Sequence, residues 1–430
     1  MADKARSLHP GVQEQLDRLA ALSPGGDRLG LERITALLER LGRPQDELPP
    51  VFHVAGTNGK GSTCAFLRAA LEAAGHRVHV FTSPHLVRFN ERIRLTGALI
   101  DDERLAALLS EVLDASDQLE PSFFEVTTAA AFLAFARTPA DALVLEVGMG
   151  GRLDATNVVE QPLVCGIAAL GIDHQQWLGT TLAQIGAEKA GIAKSGVPLI
   201  TQAYQRPVAE RIAQVAAQRG AAWFPRGREW DAQLSGERLR YRDVHGGLNL
   251  PQPQLPGRHQ AQNAALAVAM LRHQQELAVP ESAISAAMGW AEWPARFQRL
   301  HSGPLVGDRE VWLDGGHNAA AARALAETAR RRIGRPLRLV IGSLRSKDPI
   351  ALLEPFQELA ATVATVPVPD QDCFTPEELA AIATNLGLRA RAFTSVDDAL
   401  KSTLEGERVL IAGSLYLAGE VLRLNDQAPI

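Results

Sequence analysis

Short apolar runs alternate with stretches whose apolar residues recur every third or fourth position. Residues 12–22 and 31–41 have helical spacing and flank a Gly-rich turn, Ser23 to Gly30. VFHVA (51–55) reads as a buried strand, and Thr63 to Ala74 as a helix stopped by Gly75. VHVF (78–81), ALVLEVG (142–148), LVCGIAAL (163–170) and VPLIT (197–201) read as further strands, with a helix over LAQIGAEKAGI (182–192). Strands alternating with helices imply a mostly parallel sheet covered on both faces. The rhythm pauses between Pro294 and Pro304 and then restarts. VWLDGG (311–316), LRLVIGS (337–343), ATVATVPV (361–368), ARAFTS (390–395) and RVLIAGS (408–414) are its strands. A second, smaller α/β unit is therefore expected.

The chain's 430 residues suffice for two cores. A net charge of −5 without a long basic run argues against a nucleic-acid partner, which would need phosphate neutralisation. Three scattered cysteines, Cys64, Cys165 and Cys373, form neither a disulfide framework nor a zinc motif. MADKARSLHPG lacks the apolar core of a signal peptide, and no apolar run approaches the ~18 residues that span a bilayer. A cytoplasmic protein with no membrane partner is expected.

The candidate chemistry begins at Gly56-Thr57-Asn58-Gly59-Lys60-Gly61-Ser62, between a strand and a helix. Glycines let backbone N–H groups turn towards an anion, and the helix start adds partial positive charge. Lys60 can reach outer phosphates, and Ser62 or Thr63 can offer magnesium a hydroxyl. The loop departs from the usual P-loop pattern, with Val54 at the first glycine position and Gly61 between the lysine and the hydroxyl. An ordinary Gly-rich turn is the other reading.

Glu146 ends a buried strand, where ligands of parallel sheets bind. It can hold magnesium there or simply bond a backbone N–H. His174, in GIDHQQWLG, and Ser83, in TSPH, also follow strands, so three strand ends converge. Lys189, late in a helix, reads from its letters as a solvated lysine.

These strings, together with LGLERI (29–34), FFE (123–125), GGRLDATN (150–157), EKAGIAK (188–194), ARFQ (295–298), LDGGHN (313–318) and GSLYLAGE (413–420), resemble the dihydrofolate synthase/folylpolyglutamate synthase family. That family is a branch of the Mur-ligase-like ATP-dependent amide ligases. The resemblance implies an α/β fold with an N-terminal P-loop-type domain over residues 1–296, its sheet mostly parallel and carrying pterin-substrate segments. A Rossmann-like domain over residues 297–430 is implied to follow. It implies ATP held by Thr57, Asn58, Gly59, Lys60, Gly61, Ser62, Asn263, Arg296, Asp314 and His317. Two magnesium sites are implied around Ser83, Glu146, His174 and Lys189, the lysine carbamylated. Catalysis would rest on Lys60, Glu146, His174 and Lys189. The pterin substrate would lie against Arg28, Leu29, Gly30 and Leu31, against Ser122, Phe123, Phe124 and Glu125, and against Leu153, Asp154 and Ala155. Here Gly316 and Ala319 flank the His317-Asn318 pair, where the family commonly has alanine and proline.

The implied reaction joins L-glutamate to 7,8-dihydropteroate and to the glutamate tail of reduced folates through an acyl phosphate. The expected partners are those small molecules, and a monomer is expected. Three alternatives stay open: a folylpolyglutamate synthase alone, a Mur-type cell-wall ligase, and a P-loop NTPase that makes no bond.

Overall fold

The computed structural model describes residues 5–22, 29–334, 336–404 and 406–430. It divides into two compact units, one up to Gln254 with Gln260–Glu292 and Ile430, the other Leu255–His259 with Trp293–Pro429.

The first unit is built on eight strands: β1 Val51–Ala55, β2 Val78–Phe81, β3 Ile93–Leu95, β4 Ala98–Leu99, β5 Ala142–Glu146, β6 Val164–Ile167, β7 Pro198–Thr201 and β8 Ala222–Pro225. Their order is β4-β3-β2-β5-β1-β6-β7-β8. All pairs from β2 to β8 are parallel, and β3 and β4 form an antiparallel edge. β1 and β5 are buried at every position, which explains why they read as continuous apolar runs.

Helices α1 Pro10–Leu22, α2 Glu32–Arg40, α3 Lys60–Ala73, α4 Asp102–Ala115 and α5 Phe123–Ala136 precede β5, and α6 Gln175–Leu178, α7 Leu182–Ala190 and α8 Arg206–Arg219 follow β6. α1, α2, α4 and α5 share a core with Phe81, Leu143 and Leu145 of the sheet. Ile192, Ala193, Ile212 and Ala216 pack with Ala55, Ile167 and Leu199 in a second cluster. α9 Arg258–His273 and α10 Glu281–Trp290 complete the helices up to the second unit, and α10 packs on α3.

Helix α3 starts three residues earlier than the apolar spacing suggests. Gly59 takes φ +86°, a left-handed conformation that glycine adopts without strain, so the turn closes by Lys60. The sequence also gave no sign of an antiparallel sheet of β9 Trp230–Ser235, β10 Arg238–Asp243 and β11 Gly246–Pro251. RLRYRD alternates, but most of its outward positions are arginine, so the apolar signal is thin. Trp230 stacks on Tyr241 with ring centroids 6.0 Å apart. Arg272 of α9 clamps Asp243 with bonds of 2.6 and 2.7 Å, while the other turn, around Gly236, is exposed.

The second unit holds β12 Gln298–Arg299, β13 Val311–Leu313, β14 Leu337–Ile341, β15 Ala360–Thr365, β16 Ala390–Ala392 and β17 Arg408–Ala412, in the order β12-β13-β17-β14-β15-β16. Only β12 runs antiparallel. α11 Ala319–Arg332 follows β13. Its first turn is capped by Asn318, whose Oδ1 accepts from the Ala321 N–H at 3.0 Å.

Candidate active site

The loop after β1 is pinned before α3 begins. Thr57 and Asn58 donate their N–H groups to the Ala169 carbonyl at 2.9 and 3.1 Å, and the Thr57 hydroxyl donates to the Gly171 carbonyl. The strand-end loops of β1 and β6 are therefore tied together. A methyl on Gly59 would lie 2.2 Å from Oδ1 of Asn263, so the buried amide is packed directly against the loop. Thr63 turns its hydroxyl back to the Gly59 carbonyl at 2.9 Å. Ser62 is buried, and its Oγ has no hydrogen-bond partner. A buried hydroxyl at a helix start fits a ligand that accepts or coordinates there.

Lys60 extends from this loop to Glu146 at the end of β5, with Nζ 3.8 Å from Oε1. The Ser83 N–H donates to Oε2 of Glu146 at 3.3 Å. The ends of β1, β2 and β5 thus meet at one carboxylate. His174 lies at the start of α6 with φ +50° and stands 4.0 Å from Asp173, a carboxylate the sequence reading left unassigned. Among the described residues, no group of three or more His, Cys, Asp or Glu side chains gathers around a metal position. The implied magnesium set draws its remaining ligands from a serine hydroxyl and a modified lysine, and Glu146 with the orphaned Ser62 hydroxyl suits a hard cation.

The segments GGRLDATN and EKAG interlock. Arg152 donates its N–H to the Glu188 carbonyl at 2.8 Å, and its guanidinium pairs with the Glu188 carboxylate at 3.0 Å. Asn157 donates to the carbonyls of Arg152 and Gly191. Lys189 is carried inside by this packing and is 3% exposed, which settles against the solvated reading. Burial pushes its ammonium down to about 7. The positive charge of Lys60 acts in the same direction, and Asp154, Asp173 and Glu188 oppose it.

Asp154 accepts from the Met149 and Thr156 N–H groups and from the Thr156 hydroxyl. Because that hydroxyl donates to Asp154, its oxygen accepts from Nε2 of His53 at 2.9 Å. The proton of His53 is thereby assigned to Nε2, and burial holds the ring neutral, with its pKa lowered to about 3. Neither His53 nor Thr156 is assigned a role by the sequence motifs. Asp154 is thus bound into its own loop, while Leu153 is half-buried and Ala155 joins the core.

The FFE segment divides its tasks. Ser122 and Glu125 form a reciprocal cap on α5, and Arg33 pairs with buried Glu125 at 3.1 Å. Phe123 packs edge-on against Phe89, beneath the Arg92 guanidinium. Phe124 is half-buried and leans on Gly148 so closely that a methyl there would fall 2.4 Å from its ring. Leu29, Gly30 and Leu31 lead into α2, and Leu31 packs on the core. Arg28 lies outside the described residues.

In the second unit, Asp314 follows β13 and accepts from the N–H groups of Phe297 and Gly316 at 2.9 and 2.7 Å. Arg296 sits between Ala295 and Phe297, both at positive φ, +53° and +47°. Such a pair of non-glycine residues stores strain that neighbouring structure must hold, a frequent mark of functional loops. A methyl on Gly315 would lie 2.9 Å from Nη1 of Arg296, so the guanidinium end lies close against this glycine. His317 donates from Nδ1 to the Gly315 carbonyl at 3.0 Å.

Comparison with known proteins assigns this arrangement to a lineage. Residues 54–271 match the Mur ligase middle domain, and residues 305–424 the dihydrofolate synthetase C-terminal domain. A dihydrofolate synthase/folylpolyglutamate synthase of Bacillus subtilis is 34% identical over 422 residues, covering 92% of this chain and 95% of its own. The solved structure of E. coli FolC in complex with DHPP and ADP superposes with a TM-score of 0.88 at 34% identity, covering 97% of this chain and 98% of that one. A bifunctional folylpolyglutamate synthase/dihydrofolate synthase with Mn, AMPPNP and L-glutamate bound has a TM-score of 0.86 at 32% identity, covering 98% and 99%.

Proposed function

Because the chain belongs to the dihydrofolate synthase/folylpolyglutamate synthase family, we propose that it is an ATP-dependent ligase that adds L-glutamate both to 7,8-dihydropteroate and to the glutamate tail of reduced folates. The structural observation that carries this reading is the convergence of Lys60, Glu146 and Lys189 from three separate elements: Lys60 pairs with Glu146 at 3.8 Å and its charge acts on buried Lys189.

The substrate carboxylate attacks the γ-phosphate of ATP, ADP leaves, and an acyl phosphate forms. The amine of L-glutamate attacks the acyl carbon, loses a proton, and phosphate departs. Backbone N–H groups at the start of α3 and the Lys60 ammonium hold the phosphates. Magnesium would supply positive charge beside the phosphates and so offset the charge that develops during transfer. Ser62, Ser83, Glu146 and His174 are the residues we assign to hold it, with Lys189 as a carbamate. A lysine whose pKa is about 7 presents a neutral amine to carbon dioxide at physiological pH, which supports that assignment. Asn263, Arg296, Asp314 and His317 are assigned to the nucleotide.

The two acceptors place their reactive carboxylate one glutamate apart relative to the pterin, so two pterin positions are required. We assign Arg28 to Leu31, Phe124 and Leu153 to Ala155 to the dihydropteroate position. Ser122 and Glu125 act there by capping the helix that presents Phe124. We propose that the functional domains divide between residues 296 and 297, a few residues beyond the break between Glu292 and Trp293 that separates the compact units. No helix among the described residues is long and apolar enough to cross a membrane. We place the reaction in the cytoplasm, on a monomer.

The test is glutamate-dependent ADP release, measured separately with dihydropteroate and with tetrahydrofolate. Release with both is expected. Activity on tetrahydrofolate alone would reduce the protein to a folylpolyglutamate synthase, and release without either acceptor would reduce it to an NTPase.

A further inference from the structure

One face of the second unit's sheet carries a cavity of about 290 Å³, lined by Arg338, Thr362, Arg389, Arg391, Phe393 and Ser402. Arg338 of β14 pairs in register with Thr362 of β15, and Arg391 of β16 with Ala364. Arg389, Arg391 and Phe393 occupy alternate positions and share that face. Arg338 is the second residue of β14, whereas Asp314 follows the C-terminal end of β13 in the same parallel sheet. The cavity is thus separate from the residues assigned to the nucleotide in this unit.

Its chemistry is lopsided. Three guanidinium groups face it, and the carboxylate of Glu407 lies 3.8 Å from Nη1 of Arg338. Arg338 is 8% exposed. Its Nη2 donates to the Ser402 hydroxyl at 2.6 Å and to the Ala399 carbonyl at 3.3 Å, but its Nε has no partner. The Thr362 hydroxyl is buried without a partner as well. Arg338 and Arg391 both stand over the Phe393 ring, at 5.5 and 5.0 Å, which adds a cation–π attraction to each, while Nε of Arg338 keeps its donor for a ligand. Burial pushes the Arg338 pKa down, the Glu407 carboxylate opposes that shift, and the like charge of Arg391 adds to it. Glu407 offsets part of the Arg338 charge, but the buried Nε donor and the Thr362 hydroxyl cost stability until a further acceptor completes them.

We infer that this cavity binds a phosphate group, free or carried as a phosphomonoester. A planar carboxylate is satisfied by one guanidinium fork. A phosphate presents terminal oxygens in several directions, which suits guanidinium groups from two strands and a hydroxyl from a third. The inference concerns the second unit alone and does not rest on the proposed ligase activity.

The experiment is titration calorimetry on the full-length Lys60→Ala variant, which weakens anion binding at the nucleotide loop. Inorganic phosphate, glycerol 1-phosphate and tri-γ-glutamate are the probes. One saturable phosphate site is expected, weakened at least tenfold by Arg391→Ala and by Thr362→Val. Arg391 is exposed, so its variant is expected to melt with the parent. Tighter binding of glycerol 1-phosphate than of phosphate identifies a phosphomonoester as the occupant, and equal binding identifies the free ion. Unchanged phosphate binding in Arg391→Ala, no saturable phosphate binding in the parent, or preference for tri-γ-glutamate would each overturn the assignment.

Discussion

Gly151 lies against the backbone of Lys189: a methyl added to it would stand 2.9 Å from the Lys189 carbonyl oxygen and 3.0 Å from its Cα. The φ of Gly151 is not in the left-handed region. The constraint is therefore one of space, and the glycine lets two segments far apart in sequence touch backbone to backbone.

Gly151→Ala is expected to force these segments apart. The strain of overpacking costs about 1–3 kcal/mol and shifts Lys189 inside the site. Turnover should fall further than the melting temperature does. Gly289→Ala is the control, since a methyl there meets nothing within 4 Å, and it should leave turnover alone. Parallel melting and ADP-release curves decide, and wild-type turnover in Gly151→Ala would contradict the role given to the interlock.

Lys189 should carry a carbamate in the active protein. Lys189→Ala is expected to lose most activity, with partial rescue by a small added carboxylate. Bicarbonate-depleted enzyme should recover turnover when bicarbonate is returned. Native mass measurement of active enzyme reads the modification directly, and a bare amine at full activity would refute it. In the carbamate-free protein the pH dependence has a definite sign. The folded pKa of about 7 lies below the free value of 10.5, so between these limits the unfolded chain binds more protons. Stability relative to Lys189→Met should therefore rise with pH, by at most ~1.4 kcal/mol per unit.

Glu146→Gln and His174→Ala should impair catalysis more than folding. Glu146→Gln keeps an acceptor for the Ser83 N–H but loses the charge facing Lys60. His174 is half exposed and its loss uncovers little apolar surface. Turnover at saturating magnesium is expected to drop at least tenfold in each, with melting temperatures close to wild type. Full turnover in either variant removes that residue from the metal assignment.

Arg33→Ala should be a stability variant. Glu125 is 2% exposed, and removing its ionic partner leaves a buried carboxylate uncompensated, a loss of about 3 kcal/mol or more. Ser122→Ala, which removes one arm of the same cap, should cost about 1 kcal/mol. Denaturant titration reads both. If Ser122→Ala instead raised the KM for dihydropteroate severalfold without loss of stability, the serine would be a substrate contact.

The sequence conveyed the parallel strands well, because burial on both faces leaves unbroken apolar runs such as VFHVA and ALVLE. It conveyed the order of the motifs, but not which side chains in them are free. Ser122 and Glu125 carry the spacing of a capping box, a signal available in the letters and read instead as substrate contact. The burial of Lys189 was illegible because it depends on a loop 36 residues away in the chain closing over it. The chain from His53 through Thr156 to Asp154 was hidden for the same reason. The arginine cavity left no local pattern, since Arg338, Thr362 and Arg391 become neighbours only through strand register.

The small antiparallel sheet β9–β11 has two ends of unequal tolerance. At Asp243 the clamp of Arg272 ties the turn to α9, so added residues there would pull on a helix whose Asn263 rests against Gly59. At Gly236 the turn is exposed, with φ +58°, and a methyl added there would meet nothing within 4 Å. That tip is a natural attachment point for passenger sequence: an epitope, a fluorophore tag or a short peptide spliced between Ser235 and Glu237 would travel with the enzyme while the register of β9 and β10, fixed by Trp230 on Tyr241, stays as it is.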